Sequence, residues 1–300
     1  MIVVDWGTTH LRAYRLSPSG DVGTRKSAPK GIMSIANGAF AAALQEVLED
    51  WQELTDGPIL MSGMIGSRQG WFEVPYVECP AGVDELAAGV KSVPWIGTRS
   101  VFICPGLLCR DTEGVPDVMR GEEVQIVGAL SNIFGTEPVT ICLPGTHSKH
   151  AVVRNNRIER FLTHMTGEVF ALLRDHSILG RLIMERRANL DAFDDGLRRA
   201  RQASGLLHHV FGVRTRVLTN ELDATSLTDY LSGILIGHEL INSPLRPPAF
   251  IVGDGALCAL YERALGHFGV KAEVIAADVA TTRGLYAIGK LLERNAGDLV

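Results

Sequence analysis

MIVVDWGTTHLRAYRLSPSG, residues 1–20, contains the segment that decides the fold, DWGTTH at 5–10. This segment places a carboxylate, a glycine and two hydroxyls directly after the apolar run 2–4 and before LRAYRL at 11–16. The SPSG cluster ends the second run so soon that a strand is favoured over a helix. DWGTTH is therefore predicted to lie in a turn between two strands. P-loops and dinucleotide fingerprints lead from a strand into a helix, so neither motif applies.

The same plan recurs in TICLPGTHSKHAVVRNNRIERF at 140–161. The aligned pairs are Gly7 with Gly145 and Thr8 with Thr146. An internal duplication is the economical interpretation, and it predicts two related domains whose turns face one ligand. Backbone N–H groups and hydroxyls in such turns can bind phosphate oxygens. Because Asp5 aligns with Leu143, only the first turn has a carboxylate, and Asp5 is the candidate magnesium ligand.

Length and composition limit the classes of protein that the chain can form. Its 300 residues suit two compact domains or one large α/β unit, and 46% apolar against 21% charged residues is typical of a folded protein. A net charge of −5 without a Lys/Arg-rich run argues against nucleic acid as a partner. No apolar stretch is long enough to span a membrane, and no signal peptide is evident, so we expect a cytoplasmic protein. Its five cysteines form no CxxC pair, which favours buried free thiols.

The remaining segments alternate between helical and strand patterns, which indicates an α/β fold. The predicted helices are 39–51, 122–134, 168–183, 228–241 and 256–266, and the predicted strands include 58–64, 100–106 and the start of AFIVGDG at 249–255. The FGTEP break at 134–138 marks the predicted boundary between domains 1–134 and 135–300.

A glycine turn follows a strand in IVGDGALCAL at 251–260 and leads into a helix. Backbone amides and the positive end of a helix dipole make such a turn suitable for a nucleotide, here at Gly253, Asp254 and Gly255. A plain strand-to-helix loop with an Asp cap is the alternative. The order of this segment after two phosphate turns favours an adenosine site.

Two carboxylates, Glu122 and Glu123, begin the helix in MRGEEVQIVGA. Carboxylates are common at helix starts because the dipole favours them there. The helix ends shortly before the second turn, so its start is also a candidate for the general base of a group-transfer reaction.

A glycine-rich loop at 61–82 mixes polar and aromatic side chains, as loops that line small-molecule pockets often do. The candidate substrate-binding residues are Met64, Ser67, Trp71, Tyr76 and Arg120. A zinc site is disfavoured, because HELIN at 238–242 lacks a second histidine and no third ligand is evident near His147 and His150. For TGE at 166–168, helix capping is favoured over phosphate contact.

Taken together, these segments resemble the 2-dehydro-3-deoxygalactonokinase family, within the superfamily of sugar kinases, actin and heat-shock ATPases. The resemblance runs nearly from end to end and rests on DWGTTHLRAY, SGMIGSRQGW, PGL, DVMRGEEVQIVGA, LPGTHSKH and THMTGE, in that order. It implies two ribonuclease-H-like domains with ATP in a cleft between them, and transfer of phosphate to the terminal hydroxyl of 2-dehydro-3-deoxy-D-galactonate. This chain departs from the family's usual pattern at His10, where the family often has Asn, and at His150, where it often has Trp.

The resemblance also implies roles for individual residues. The first phosphate motif maps onto Asp5, with magnesium, and onto Gly7, Thr8 and Thr9; the second maps onto Gly145, Thr146 and His147; and the adenosine motif maps onto Gly253, Asp254 and Gly255. The catalytic acid of glycerol and xylulose kinases maps onto Glu122.

Two other functions stay open: a kinase of the same fold that acts on another small sugar, sugar acid or polyol, and a nucleotide-dependent sensor without turnover. Four basic residues are candidates to bind the substrate carboxylate: Arg12, Arg68, Arg120 and Lys149. The sequence leaves the oligomeric state open, with a homodimer as one option.

Overall fold

The computed structural model describes residues 1–51, 57–95, 99–131, 133, 137–185 and 187–297. The chain divides into two compact units. Unit 1 is Met1–Glu137, Val153–Phe161 and Ile275–Val300, and unit 2 is Pro138–Val152 and Leu162–Val274. The boundary predicted between residues 134 and 135 lies outside the described residues. The division differs from the predicted continuous domain 135–300, because residues 153–161 and 275–300 belong to unit 1.

The described residues form strands and helices that alternate along the chain. The strands are β1 Ile2–Trp6, β2 Leu11–Leu16, β3 Val22–Ala28, β4 Ile59–Ser62, β5 Val77–Glu78, β6 Lys91–Val93, β7 Val101–Ile103, β8 Leu107–Arg110, β9 Pro116–Met119, β10 Val139–Leu143, β11 Ser148–Arg154, β12 Arg157–His164, β13 Ala249–Val252 and β14 Ala272–Ile275. The helices are α1 Phe40–Leu48, α2 Val83–Gly89, α3 Glu122–Leu130, α4 Thr166–His176, α5 Leu190–Ala200, α6 Gly205–Leu218, α7 Leu227–Ile241, α8 Gly255–His267 and α9 Ala277–Gly297. Each helix predicted from the sequence overlaps one of these.

Unit 1 is built on a sheet with the strand order β3-β2-β1-β4-β7-β6, and β5, β8 and β9 form a second, smaller sheet. Strand β1 is antiparallel to β2 and parallel to β4. Trp6 is fully buried and contacts the ring of Phe40 on α1 edge to face, so the apolar face of α1 packs into the same core as β1.

Helix α9 packs against α3 in unit 1. A Cβ on Gly128 would lie 1.8 Å from the Ala280 carbonyl oxygen, and a Cβ on Gly284 would lie 1.9 Å from that of Val124. Only glycine permits backbones to approach so closely. This contact explains why the end of the chain belongs to unit 1, which the helical pattern of the sequence did not indicate.

Unit 2 is built on a sheet with the strand order β12-β11-β10-β13-β14, in which β10 is parallel to β13. In the described part of unit 2, apolar clusters lie around α7 and α8. Helices α5 and α7 are in close contact, since a Cβ on Gly233 would lie 2.0 Å from the Phe193 carbonyl oxygen.

The two main sheets follow one plan: a first strand, its two hairpin-connected neighbours on one side, and the next parallel strand on the other. This correspondence supports the internal duplication inferred from the sequence. All five cysteines are free thiols, and four of them are buried. Among the described residues, no helix has the length and apolar character needed to cross a membrane.

Candidate active site

The first Gly-Thr turn connects β1 to β2, as predicted. Its backbone is fixed by hydrogen bonds from the following loop: Gly31 N–H donates to the Thr9 carbonyl at 3.1 Å and Ile32 N–H to the Gly7 carbonyl at 3.0 Å. The side chains of Thr8 and Thr9 remain exposed. These hydrogen bonds stabilise the turn, which offers two exposed hydroxyls to a ligand.

Asp5 and Glu122 come close together at the end of β1. A Cβ on Gly63 would lie 3.3 Å from Asp5 Oδ1, and a Cβ on Gly121, whose φ is +112°, would lie 3.3 Å from the Gly63 Cα. These two glycines let the end of β4 and the start of α3 approach Asp5. Burial raises the pKa of the Asp5 carboxyl; Arg12 opposes this effect, and the negative charge of Glu122 adds to it.

A divalent cation fits this arrangement. Among the residues that the structure describes, the side-chain partner of the Asp5 carboxylate is Arg12, in a long ion pair at 3.4 Å, while Glu122 and Asp278 add negative charge nearby. Carboxylate oxygens are the usual protein ligands of Mg²⁺. Asp5 is therefore the residue that would hold such an ion.

The neighbouring acids Glu122 and Glu123 have different environments. Glu122 is half-buried and accepts a hydrogen bond from the Arg120 N–H at 3.1 Å. Glu123 is fully buried and accepts from the Gly121 N–H at 2.6 Å. Burial, together with the charge of Glu122, raises the pKa of Glu123 to about 8. Glu123 thus stays protonated at neutral pH, and Glu122 is the acid available to a substrate.

The predicted substrate-binding residues fall into three groups. Tyr76 and Arg120 are in contact, with the guanidinium carbon 4.4 Å from the ring centroid. Ser67 Oγ donates to the Met64 carbonyl at 2.7 Å, so these two residues stabilise one loop turn. Trp71 is half-buried and contacts the ring of Trp95, which indicates a packing role.

The second Gly-Thr turn, between β10 and β11, is held against the start of α4. A Cβ on Gly167 would lie 2.5 Å from the Gly145 carbonyl oxygen, and Glu168 N–H donates to the Thr146 carbonyl at 3.0 Å. His147 Nε2 is hydrogen-bonded to Glu168 Oε2 at 2.5 Å. The first turn of α4 thus lies beside the phosphate turn, where its backbone N–H groups favour anions.

The helix-capping role expected for TGE at 166–168 is wrong, because Met165 is the N-cap residue of α4 and, among the described residues, no side chain caps this helix. Thr166 is the first residue of α4 rather than its cap, and its side chain is hydrogen-bonded to Glu239. The TGE segment instead packs α4 against the second turn, which requires Gly167.

A buried polar network lies beneath the second turn. Glu239 is hydrogen-bonded to His150 Nε2 at 2.7 Å and accepts from the Tyr261 hydroxyl at 2.7 Å, and Tyr261 contacts Ser148 Oγ at 2.9 Å. Burial alone would raise the pKa of Glu239, but hydrogen bonds from His150, Thr166 and Tyr261 lower it. The network stabilises the strand and helix that carry the turn.

Sequence reasoning missed this network because it judged Glu239 only as part of a zinc motif. An acid in the middle of the apolar segment 228–241 was the available signal. Cys142, His150 and Glu239 also form a set of potential metal ligands, whose atoms lie within 4.8 Å of one another. The hydrogen bonds of Glu239 already account for its burial.

The adenosine motif lies next to the second turn, since a Cβ on Gly253 would be 3.9 Å from Pro144 Cδ. Asp254 precedes α8 and is exposed. A cavity of about 230 Å³ lies beside the second turn and the start of α8. It is lined by Gly145, Thr166, Gly167, Phe170, Arg174, Thr228, Asp229, Ser232, Leu235, Ile236, Leu257, Leu260 and Tyr261. The helical residues of this cavity were not predicted, because they come from segments far apart in the sequence.

The α/β fold, with two hairpin-led sheets that each carry a Gly-Thr turn, confirms the predicted α/β class. The fold matches that of the activator of 2-hydroxyisocaproyl-CoA dehydratase from Clostridium difficile, with a TM-score of 0.53 at 11% identity and coverage of 99% and 97% of the two chains.

The chain belongs to the 2-keto-3-deoxy-galactonokinase family, whose model matches residues 5–288. It is 32% identical over 291 residues to the 2-dehydro-3-deoxygalactonokinase of Escherichia coli (strain K12), covering 96% of each chain. It also resembles a crystal structure from Sinorhizobium meliloti, described as a proposed 2-dehydro-3-deoxygalactonokinase, with a TM-score of 0.89, 34% identity, and coverage of 97% and 98% of the two chains.

Proposed function

We propose that the protein is an ATP-dependent kinase that phosphorylates the 6-hydroxyl of 2-dehydro-3-deoxy-D-galactonate. The observation that carries the proposal is that Glu122 lies close to Asp5, beside the first Gly-Thr turn, in a chain that belongs to this kinase family. A nucleotide sensor without turnover would need no acid at Glu122. That one nucleotide contacts both Gly-Thr turns stays a prediction, as does a cytoplasmic location.

The chain's own residues account for the steps of transfer. Each Gly-Thr turn offers phosphate-binding groups of its own: Thr8 and Thr9 with the N–H groups of the first turn, and Thr146 with those of the second. A Mg²⁺ ion held by Asp5 would neutralise phosphate charge. The cavity in unit 2, with its aromatic and aliphatic lining, is the proposed site for the base and ribose.

Glu122 accepts the proton of the 6-hydroxyl. The hydroxyl oxygen forms a bond to the γ-phosphorus, and the bond from that phosphorus to the bridging oxygen breaks, which releases ADP. The Arg120 N–H holds the Glu122 carboxylate in place. Because phosphoryl transfer depends mainly on alignment and charge neutralisation, these contacts account for most of what the protein has to supply.

The test is an ADP-release assay over a panel of 2-oxo-3-deoxy sugar acids of both C4 configurations, with galactose and glycerol as uncharged acceptors. We expect kcat/KM to be highest for the galacto-configured acid. A higher kcat/KM for galactose or glycerol would contradict the proposal and favour a kinase of another substrate class.

A further inference from the structure

The sequence leaves several basic residues as candidates for the substrate carboxylate, and the structure gives most of them other partners. Arg12 forms the ion pair with Asp5. Arg68 is 87% exposed and lies 3.4 Å from Glu73, in the geometry of a solvated surface pair. Lys149 is buried in β11 of unit 2 and has a partner of its own. None of these three needs a ligand to satisfy its charge.

Arg120 differs from all of them. It is only 9% exposed, and its Nη2 donates to the Val74 carbonyl at 2.7 Å. Its Nε and Nη1 atoms are buried without a hydrogen-bond partner. Among the described residues, no carboxylate lies within ion-pair distance of the guanidinium. A buried, unpaired guanidinium is costly, and a bidentate anion is the partner that its geometry fits best.

The fully buried acid Glu123 does not supply that anion. Glu123 lies close enough to sense the charge of Arg120, but its pKa of about 8 keeps it protonated at neutral pH. Its Oε1 atom also has no hydrogen-bond partner. Next to the candidate base, the guanidinium of Arg120 therefore keeps two buried nitrogen atoms, Nε and Nη1, without a hydrogen-bond partner.

We propose that Arg120 binds the carboxylate of the sugar-acid substrate, an assignment that rests on the kinase function proposed above. Gly66 keeps one edge of the guanidinium clear of a side chain, since a Cβ there would lie 2.9 Å from Nη1. The Tyr76 ring covers one face of the guanidinium and is 41% exposed, so entry of the carboxylate would require this ring to move.

This assignment also orients the substrate. Arg120 and Glu122 are separated only by Gly121, and two residues span at most about 7 Å of chain. The carboxylate and the 6-hydroxyl are the two ends of the six-carbon substrate, so one short loop contacts both of them. Acids of this length, and not uncharged sugars, are the ligands that such a loop selects, because an uncharged ligand would leave Arg120 unpaired.

The test compares the 2-oxo-3-deoxy sugar acid with its primary amide, which has the same shape without the charge. For Arg120→Gln we expect kcat/KM for the acid to fall roughly 10²-fold or more, mainly through KM, with little change for the amide. Arg120→Lys keeps the charge but loses the planar guanidinium, so its kcat/KM for the acid should lie between the values of wild type and Arg120→Gln. Arg68→Gln, on the adjacent loop, is the matched control and should leave kcat/KM for both substrates unchanged.

Thermal unfolding of each variant checks that it folds. If Arg120→Gln does not fold, the comparison uses Arg120→Lys alone. The inference is overturned if the wild type phosphorylates the acid while a folded Arg120 variant keeps the wild-type KM and the wild-type preference for acid over amide. A wild type that phosphorylates no sugar acid would instead overturn the proposed function, and this inference with it.

Discussion

Replacing Glu122 with glutamine tests the assignment of the general base. The amide oxygen can still accept the hydrogen bond that Glu122 Oε2 receives from the Arg120 N–H at 3.1 Å, so the loop should keep its shape. The variant cannot take a proton from the 6-hydroxyl. We therefore expect kcat to fall by roughly 10²–10⁴, which corresponds to about 3–5 kcal/mol of transition-state stabilisation, with little change in KM for either substrate.

Glu123→Gln is the matched control for this experiment. Glu123 is fully buried and protonated at neutral pH, so an amide of the same size can replace it and still accept from the Gly121 N–H. Steady-state kinetics by ADP release, with both substrates varied, should give near wild-type values for Glu123→Gln. The opposite result, an inactive Glu123→Gln and an active Glu122→Gln, would refute the assignment.

Three further predictions follow from other contacts. Asp5→Asn should lower kcat roughly 10²-fold or more while leaving KM for the sugar acid nearly unchanged, and a titration of activity with Mg²⁺ should show a higher requirement. The unfolded chain releases the Glu123 proton near pH 4.5 but the folded chain only near pH 8, so the free energy of unfolding should fall as pH rises between these values, by up to about 1.4 kcal/mol per pH unit. Urea unfolding at several pH values should show that Glu123→Gln removes this dependence. If the variant keeps the wild-type dependence of unfolding free energy on pH, the prediction is contradicted. Gly167→Ala places a Cβ 2.5 Å from the Gly145 carbonyl oxygen, so it should raise KM for ATP without raising KM for the sugar acid. The control is Gly212→Ala on α6, where a Cβ meets nothing within 4 Å, and it should leave both KM values unchanged.

Local patterns explain why much of the fold could be predicted. The two Gly-Thr turns, the strands around them and the start of α3 are each determined by a few consecutive residues, so glycine positions and hydrophobic periodicity were sufficient. The duplicated turn also predicted two related sheets. Glu122 was assigned by resemblance, and the structure adds the reason for preferring it to Glu123, which is burial.

Long-range contacts explain what could not be predicted. His150 and Glu239 are 89 residues apart in the chain, and neither has a local pattern that indicates the other. The packing of α9 in unit 1 depends on two glycines, Gly128 and Gly284, in separate helices. The missing partners of Arg120 are likewise a property of the folded core, because a sequence shows a basic residue but not which acids surround it.

The central claim is that this chain transfers the γ-phosphate of ATP to the 6-hydroxyl of a 2-oxo-3-deoxy sugar acid. The most direct measurement is ³¹P and ¹³C NMR of the reaction of wild-type protein with ATP, Mg²⁺ and 2-dehydro-3-deoxy-D-galactonate. We expect a phosphate monoester whose phosphorus couples to C6 and its protons, formed in equal amount to ADP. ADP formed without a sugar ester, or a phosphate on any other carbon, would contradict the account.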